Sequence, residues 1–336
     1  MAALDVNTYS MKEFQFALKP EAAIGTKLST SMQLLQLTGD VTIAKEVIQD
    51  TTQRGGVGRT SKVADVHTTD KGGVRTTLTV PIIMDTTVDK MLHEAVMWSP
   101  VSTSPASYDV AYNYAPTAQG HGTAPDNTND FFTCALISPI TAASRFFVGC
   151  VVEAMTVSME AGADGGRRAA TLTIVTAYYE ADAAAAPTGM SVFGASYRYL
   201  YDYTTKKSVG GDDIVTNKIE YTISNPVSFV GFQGANGDPE LVQRAVNGGR
   251  IEVSLMIGVK LDSNTTEHWE NHRDGDGFAV EISDNATWAS STFGIKAAFC
   301  KLNGEVTPGD TEGGAFQDLP FMCLASTIGD VIQIVP

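Results

Sequence analysis

The sequence predicts a mainly β chain built as two tandem barrel- or sandwich-like units, each with a short flanking helix. Three observations point there. Apolar residues recur with period two in segment after segment, and glycine, aspartate and asparagine turns separate those segments. A strand-and-helix pattern beginning near Val74 also returns near Ile251.

The first clear strand places Val74, Thr76, Leu78, Val80 and Ile82 on one face and Arg75, Thr77, Thr79 and Pro81 on the other. A helix is predicted to start at Thr86 or Thr87, with Thr86 and Asp89 as a capping box and Met91, Leu92, Ala95 and Val96 at helical spacing. Farther on, Val151, Met155, Val157 and Met159 alternate with Val152, Ala154, Thr156 and Ser158, and Glu153 interrupts the apolar set. The turn Gly162-Ala163-Asp164-Gly165-Gly166 then leads back through Leu172 and Ile174 as a hairpin. In the second half, Ile219, Tyr221 and Ile223 alternate with Glu220 and Thr222, and Ile251, Val253, Leu255 and Ile257 with Glu252, Ser254 and Met256. A second helix is expected from Asn264, with Glu267 at its third position and Trp269 inward, and Val331–Val335 reads as a terminal strand.

Pairing Val74 with Ile251, a shift of 251 − 74 = 177 residues, also pairs Leu78 with Leu255, Val80 with Ile257, Ile82 with Val259 and Asp85 with Asp262. The shift keeps the inward phase, which a one-residue slip would destroy. It divides the chain into units 1–183 and 184–336, with the join expected in the alanine-rich stretch Glu180–Gly189, either as a linker or as a short helix ended by Pro187. Residues 53–73, 99–130 and 303–318 read as long loops, and the first two are rich in glycine, proline, serine and threonine. The first two are expected to order only when a neighbour docks.

The formal net charge of −15 disfavours site-specific binding to a phosphate backbone and suits a surface past which DNA slides. No apolar run is long enough to span a membrane, and Met1-Ala2-Ala3-Leu4-Asp5 does not resemble a secretory signal, so synthesis in the cytosol is expected. The four cysteines form no CxxC pair, and Cys150, in an apolar run, reads as a buried small hydrophobe.

The sequence offers no catalytic, cofactor or metal constellation. His268 and His272 are one helical turn apart, but Trp269 stands where a zinc-protease helix places glutamate. Asp274-Gly275-Asp276-Gly277 lacks the remaining ligands of a calcium loop and reads as a turn. Gly55-Gly56-Val57-Gly58-Arg59-Thr60-Ser61-Lys62 has glycine, lysine and hydroxyl in the wrong order for a phosphate loop. The expectation is a non-enzymatic protein without cofactors.

Three stretches resemble the longer, duplicated tail tube proteins of siphophages: Gly58–Val63 with Gly72–Val80 and Asp85–Leu92, Arg145–Val152 with its hairpin to Ile174, and Ile219–Asn225 with Gly248–Leu261. The resemblance implies two tail-tube-type β units, closure of copies into rings, and stacking of rings into a channel for DNA. The duplication points to trimeric rings of pseudo-six-fold symmetry, with rings of six whole chains as the alternative, and the resemblance implies as partners a tape measure protein and tail terminator or baseplate proteins, in a virion tail made in the host cytoplasm. A long loop would reach the next ring, for which Gly55, Gly56, Gly58, Arg59 and Lys62 are candidates. Glu220 and Glu252, on polar strand faces, are candidates for an acidic lumen, although an outer solvated face fits them equally.

Two rival readings remain: another virion part, such as a capsid decoration or baseplate protein, and a carbohydrate-binding β module or glycosidase. The second rests on Tyr197, Tyr199, Tyr201 and Tyr203, whose alternation suits either stacking on sugars or one aromatic face of a strand.

Overall fold

In the computed structural model the described residues are 13–21, 25–45, 48–50, 67–69, 75–97, 108–111, 131–140, 142–162, 164–177, 180–203, 205–232, 242–247, 251–261, 275–304, 307–311, 314–324 and 330–335. They are mainly β, with one α-helix among them.

The first half carries β1 (Gln15–Pro20), β2 (Gln33–Leu37), β3 (Thr42–Lys45), β4 (Ile48–Asp50), β5 (His67–Thr69) and β6 (Thr76–Ile83). The helix α1 (Thr86–Met97) follows, then β7 (Tyr108–Ala111), β8 (Phe132–Ile137), β9 (Ser144–Glu160), β10 (Ala169–Thr176) and β11 (Glu180–Ala184). Antiparallel pairing runs β9–β10–β6–β2–β1–β8 and returns to β9, so six strands close a circuit. β3 continues the course of β2 along β6, and β4 and β5 form a two-stranded arm between β3 and β6.

The second half carries β12 (Lys206–Val209), β13 (Asp212–Asp213), β14 (Thr216–Ser224), β15 (Val227–Phe232), β16 (Val242–Asn247), β17 (Glu252–Lys260), β18 (Phe278–Ser283), β19 (Gly294–Leu302), β20 (Thr307–Thr311), β21 (Gly314–Cys323) and β22 (Asp330–Val335). β13 and β14 form one run that passes from β12 to β17: Ile214 N–H donates to Lys207 O at 2.9 Å, and Lys260 N–H to Val215 O at 2.8 Å. Pairing then proceeds β17–β21–β19–β18 and back to β12. The order repeats that of the first half. β15 and β16 form the corresponding arm, and β22 lies on the N-terminal end of β19 as β11 lies on that of β9.

The two circuits meet edge to edge. Lys218–Ser224 of β14 pairs with Ala154–Glu160 of β9, and β22 pairs with β7. β6 and β17, the strands matched in the sequence, therefore belong to one continuous ladder with β10, β9 and β14 between them. One apolar core also spans both halves, from Leu78, Val80 and Phe147 to Leu255, Phe278 and Phe321.

The expected strand faces hold for β6, β14 and β17, whose burial alternates as the sequence pattern requires. β9 departs from expectation. Thr173 pairs with Ala154 and Ile174 with Val152, which leaves Glu153 as a bulge. An extra residue reverses the faces on either side of it. Val152, not Val151, shares the main core with Met155, Val157 and Met159, while Val151 turns to Phe131, Val175 and Val227.

The helix begins where predicted, but its cap is Asp85: Oδ1 accepts from Thr87 N–H at 2.7 Å and Val88 N–H at 3.2 Å. Residues 180–189 are neither a linker nor a helix at their start. β11 pairs there with Ser144–Phe147 across the expected boundary at 183, and the chain stays on the first half through bridges Thr30–Thr188, Gln33–Ser191, Asp85–Tyr197 and Arg167–Tyr199. The expected loop at 303–318 contains β20 and the start of β21, whose pairing with each other does not depend on apolar residues. β5 and β7 lie within the other two expected loops, whose remaining residues are outside the described set. The helix expected from Asn264, with His268, Trp269 and His272, also lies outside the described residues.

Candidate functional site

The ladder β10–β9–β14–β17–β21 presents one face to the core and the other outward. Register lines up the outward residues in rows across the strands. One row is Thr171, Thr156, Thr222, Ser254 and Met322; the next is Ala169, Ser158, Glu220, Met256 and Pro320; a third is Thr173, Ala154, Ser224 and Glu252. Thr156 and Thr222 share a hydroxyl hydrogen bond of 2.9 Å across the join between the halves. Seven of these fourteen residues carry short hydroxyl side chains, and the adjoining row, Glu160, Lys218, Gly258 and Asp318, adds two acids and one cation, so the face is polar with acids in excess.

Glu220 and Glu252 sit on this one face, on neighbouring strands: Glu220 is opposite Met256, and Ser224 is opposite Glu252. At about 3.4 Å per residue the two acids are roughly 14 Å apart along the strand direction. Lys218 Nζ lies 3.6 Å from Glu220 Oε2 and offsets part of the negative field, while Glu252 and Asp318 are exposed. The backbone makes this arrangement possible at Gly258, where a Cβ would stand 2.1 Å from Asn217 Oδ1. Asn217 is the extra residue of a bulge between Thr216 and Lys218, and only glycine leaves room for it.

Behind the face, a buried polar cluster pins the halves together. Arg168, immediately before β10, donates to Asp89 of α1 and to the Tyr221 hydroxyl of β14. His93 Nε2 lies 2.8 Å from the Tyr221 hydroxyl and its Nδ1 2.8 Å from Asp89 Oδ1. The Arg168 guanidinium also lies over the rings of Phe293, at 5.4 Å, and Tyr221, at 5.9 Å. Burial acts to raise the Asp89 pKa, but Arg168 and then His93 outweigh it, and the carboxyl stays below the usual range. Burial acts to lower that of Arg168, and Asp89 outweighs it. Burial raises the Tyr203 and Tyr221 phenols, which remain neutral. The arrangement is a buried ion pair between Arg168 and Asp89, bridged by the Tyr221 hydroxyl and the His93 ring, with Arg168 Nε and the Tyr203 hydroxyl left without a hydrogen-bond partner among the described residues; it fixes geometry at the joint.

A second buried acid, Glu21, accepts from Gly25 N–H at 2.7 Å, Thr133 Oγ1 at 2.8 Å and Gly149 N–H at 2.9 Å. Burial nevertheless leaves its pKa raised. It clamps β1, β8 and the inner part of β9 together.

In the sequence Asp89 reads as part of a helix cap, and no motif singles out Arg168. The signal was present. Arg168 is in phase with Ala170, Leu172 and Ile174, and Asp89 is one helical turn before Leu92 and His93, so two opposite charges both point at the core.

The tyrosines at 197–203 do not form one strand face. A 3₁₀ turn at Leu200–Asp202 breaks the alternation. Tyr203 is buried against Phe293, with ring centroids 4.0 Å apart, and Tyr197 lies under Arg167. Tyr201 is exposed and stacks on Tyr199.

Cys150 is buried as expected, and its burial pushes the thiol pKa up. Gly275, at φ +76°, makes the turn into β18. Gly55, Gly56, Gly58, Arg59 and Lys62 lie outside the described residues, between β4 and β5. No helix among the described residues is long and apolar enough to cross a membrane. No protein-family profile and no curated protein sequence matches the chain.

Proposed function

We propose that the chain is a structural virion protein: a tail tube subunit whose copies close into rings, the rings stacking into the DNA-conducting channel of a bacteriophage tail. Each chain supplies two tandem tail-tube-type β units, and three chains make a ring of pseudo-six-fold symmetry. The observation that carries this reading is the repeated order of strand pairing in the two halves, joined head to tail through β9 and β14. A like unit that meets its neighbour through unlike edges generates a ring or a filament when the contact is repeated.

The hydroxyl-rich face supports the channel role. It offers hydrogen-bonding groups with few cations, and Glu220, Glu252 and Asp318 disfavour the counterion release that would hold a phosphate backbone. Under this reading the residues between β4 and β5 reach the next ring, and the partners are the chain itself, a tape measure protein and terminator or baseplate proteins. DNA passes without specific binding, and the site of action is the virion tail.

The test is electron microscopy of the concentrated, purified protein. Rings or tubes with a central hole are expected, with three chains per ring by mass measurement. Particles that stay single at high concentration overturn the tube reading, and that outcome favours a decoration or baseplate protein.

A further inference from the structure

The junction between β9 and β14 joins two of four corresponding edges, and the other two stand at opposite ends of the same ladder. β3 pairs with β6 as β14 pairs with β17, and β20 pairs with β21 as the outer part of β9 pairs with β10. In the first half it is β9 that carries β14. Among the described residues, no strand pairs with the outer edge of β20 or of β3.

The correspondence fixes a register. Val80 faces Leu172 as Ile257 faces Leu319, which puts Pro308 in the place of Val157 and Asp310 in the place of Met159. Leu78 faces Ile43 as Leu255 faces Tyr221, which puts Ile43 in the place of Tyr221 and Val41 in that of Ile219. Within the chain Tyr221 faces Val157 and Ile219 faces Met159. The same join between chains sets Ile43 opposite Pro308 and Val41 opposite Asp310.

Hydrogen-bond directions provide an independent check. Pro81 O accepts from Thr38 N–H, and Pro320 O accepts from Asn303 N–H. Backbone groups alternate sides along a strand. Thr77 and Thr79 therefore face β3 and engage Ala44 and Thr42, leaving the N–H and C=O of Val41 and Ile43 pointing outward. Asp318 and Phe316 likewise engage Thr307 and Gly309, leaving those of Pro308 and Asp310 outward. The outward residues of the two edges are the ones that the register sets face to face.

We propose that β3 of one chain pairs antiparallel with β20 of a second copy in this register, so that the sheet continues from chain to chain. The proposal rests on the ring reading in taking the partner to be another copy. Three ladder bonds result: Ile43 N–H to Pro308 O, and a mutual exchange between Val41 and Asp310. Pro308 has no N–H to give, which makes the edge a poor template for unrelated strands while leaving its bonds to β21 intact.

Ala44 and Thr307 fall opposite each other at a non-hydrogen-bonded pair, where Cα atoms are about 4.5 Å apart, within disulfide range. The test is the variant Ala44→Cys/Thr307→Cys, oxidised after assembly and run on a denaturing gel beside each single variant. The native cysteines are buried and give little background. A covalent ladder ending at the ring number is expected for the double variant alone. Rings without a ladder overturn the edge proposal and spare the tube reading. A ladder without rings does the reverse, and a cross-link confined to one chain overturns the proposal. Asp310→Pro, which removes the last outward N–H of β20 without touching its bonds to β21, should abolish assembly while the subunit keeps its melting temperature. Assembly at the wild-type level in that variant also overturns it.

Discussion

Asp89→Asn keeps the shape of a side chain at the joint between the halves and removes its charge. Arg168, whose side chain is wholly buried, would then have no countercharge and would keep only neutral acceptors such as the amide oxygen and the Tyr221 hydroxyl, beside the His93 ring and two aromatic faces. Breaking a buried ion pair by neutralising one partner costs about 3–5 kcal/mol. With an unfolding entropy of about 2.1 cal/mol/K per residue, a chain of 336 residues loses about 4–7 °C of Tm if it unfolds as one unit. Arg168→Met should cost a similar amount, since it strands Asp89. The pair Asp89→Asn/Arg168→Met should cost less than the two single changes added, by about 2 kcal/mol or more, because replacing a whole buried pair with neutral groups is far milder than halving it. The assay is urea unfolding of all four proteins. Additive effects, or a Tm shift below about 1 °C for Asp89→Asn, refute the account of the joint. The pH dependence gives a second check. The folded pKa of Asp89 is depressed, so its contribution is present above the ordinary carboxylate value of about 3.9 and is lost as pH falls through the depressed one. The gap between wild type and Asp89→Asn should therefore narrow in acid.

Glu21 has the opposite sign. Its folded pKa is raised, so its favourable contribution is present below the ordinary value of about 4.3 and is lost as pH rises through the raised one; the stability deficit of Glu21→Gln, followed by thermal melts, should shrink as pH rises above the ordinary carboxylate range. Gly258→Ala forces a Cβ against Asn217 and should cost about 1–3 kcal/mol in urea unfolding, whereas a cost near zero would mean that the bulge at Asn217 relaxes freely. Glu220→Lys/Glu252→Lys, in a phage that still assembles tails, should slow DNA ejection, with the effect weakening as salt shortens the screening length below about 8 Å. Unchanged ejection with both side chains shown to face the channel would refute the repulsion argument.

Much of the fold was legible because burial imposes a period. The alternation in β6, β14 and β17 survives into the structure since each has one face on the core and one facing out. Reading failed where something other than side-chain burial set the conformation. Glu153 bulges because β10 is one residue short opposite it, and nothing in the alternation of β9 says where that slip falls. β11 and β20 look like linker and loop because their sequences carry little to bury; backbone pairing with β9 and with β21 holds each of them as a strand. The tyrosines kept a period of two in sequence while a 3₁₀ turn sent Tyr203 inward and Tyr201 outward.

The candidate site divides in the same way. That Glu220 and Glu252 lie on polar faces followed from phase alone, because side chains must alternate across a strand. That both share one face, in rows with Thr156, Thr171 and Ser254, required the pairing of β9 with β14, a contact between residues about sixty apart. The sequence by itself determined a mainly β chain, its main strand phases, the helix after Asp85 and the recurrence of one pattern in both halves, since each is a local consequence of side-chain size, polarity and spacing. Only the tertiary structure decided which edges meet, where the bulges fall and that Asp89, Arg168 and Tyr221 form one buried joint, because backbone hydrogen bonds are the same for every sequence and leave the choice of partner to the packing of the whole.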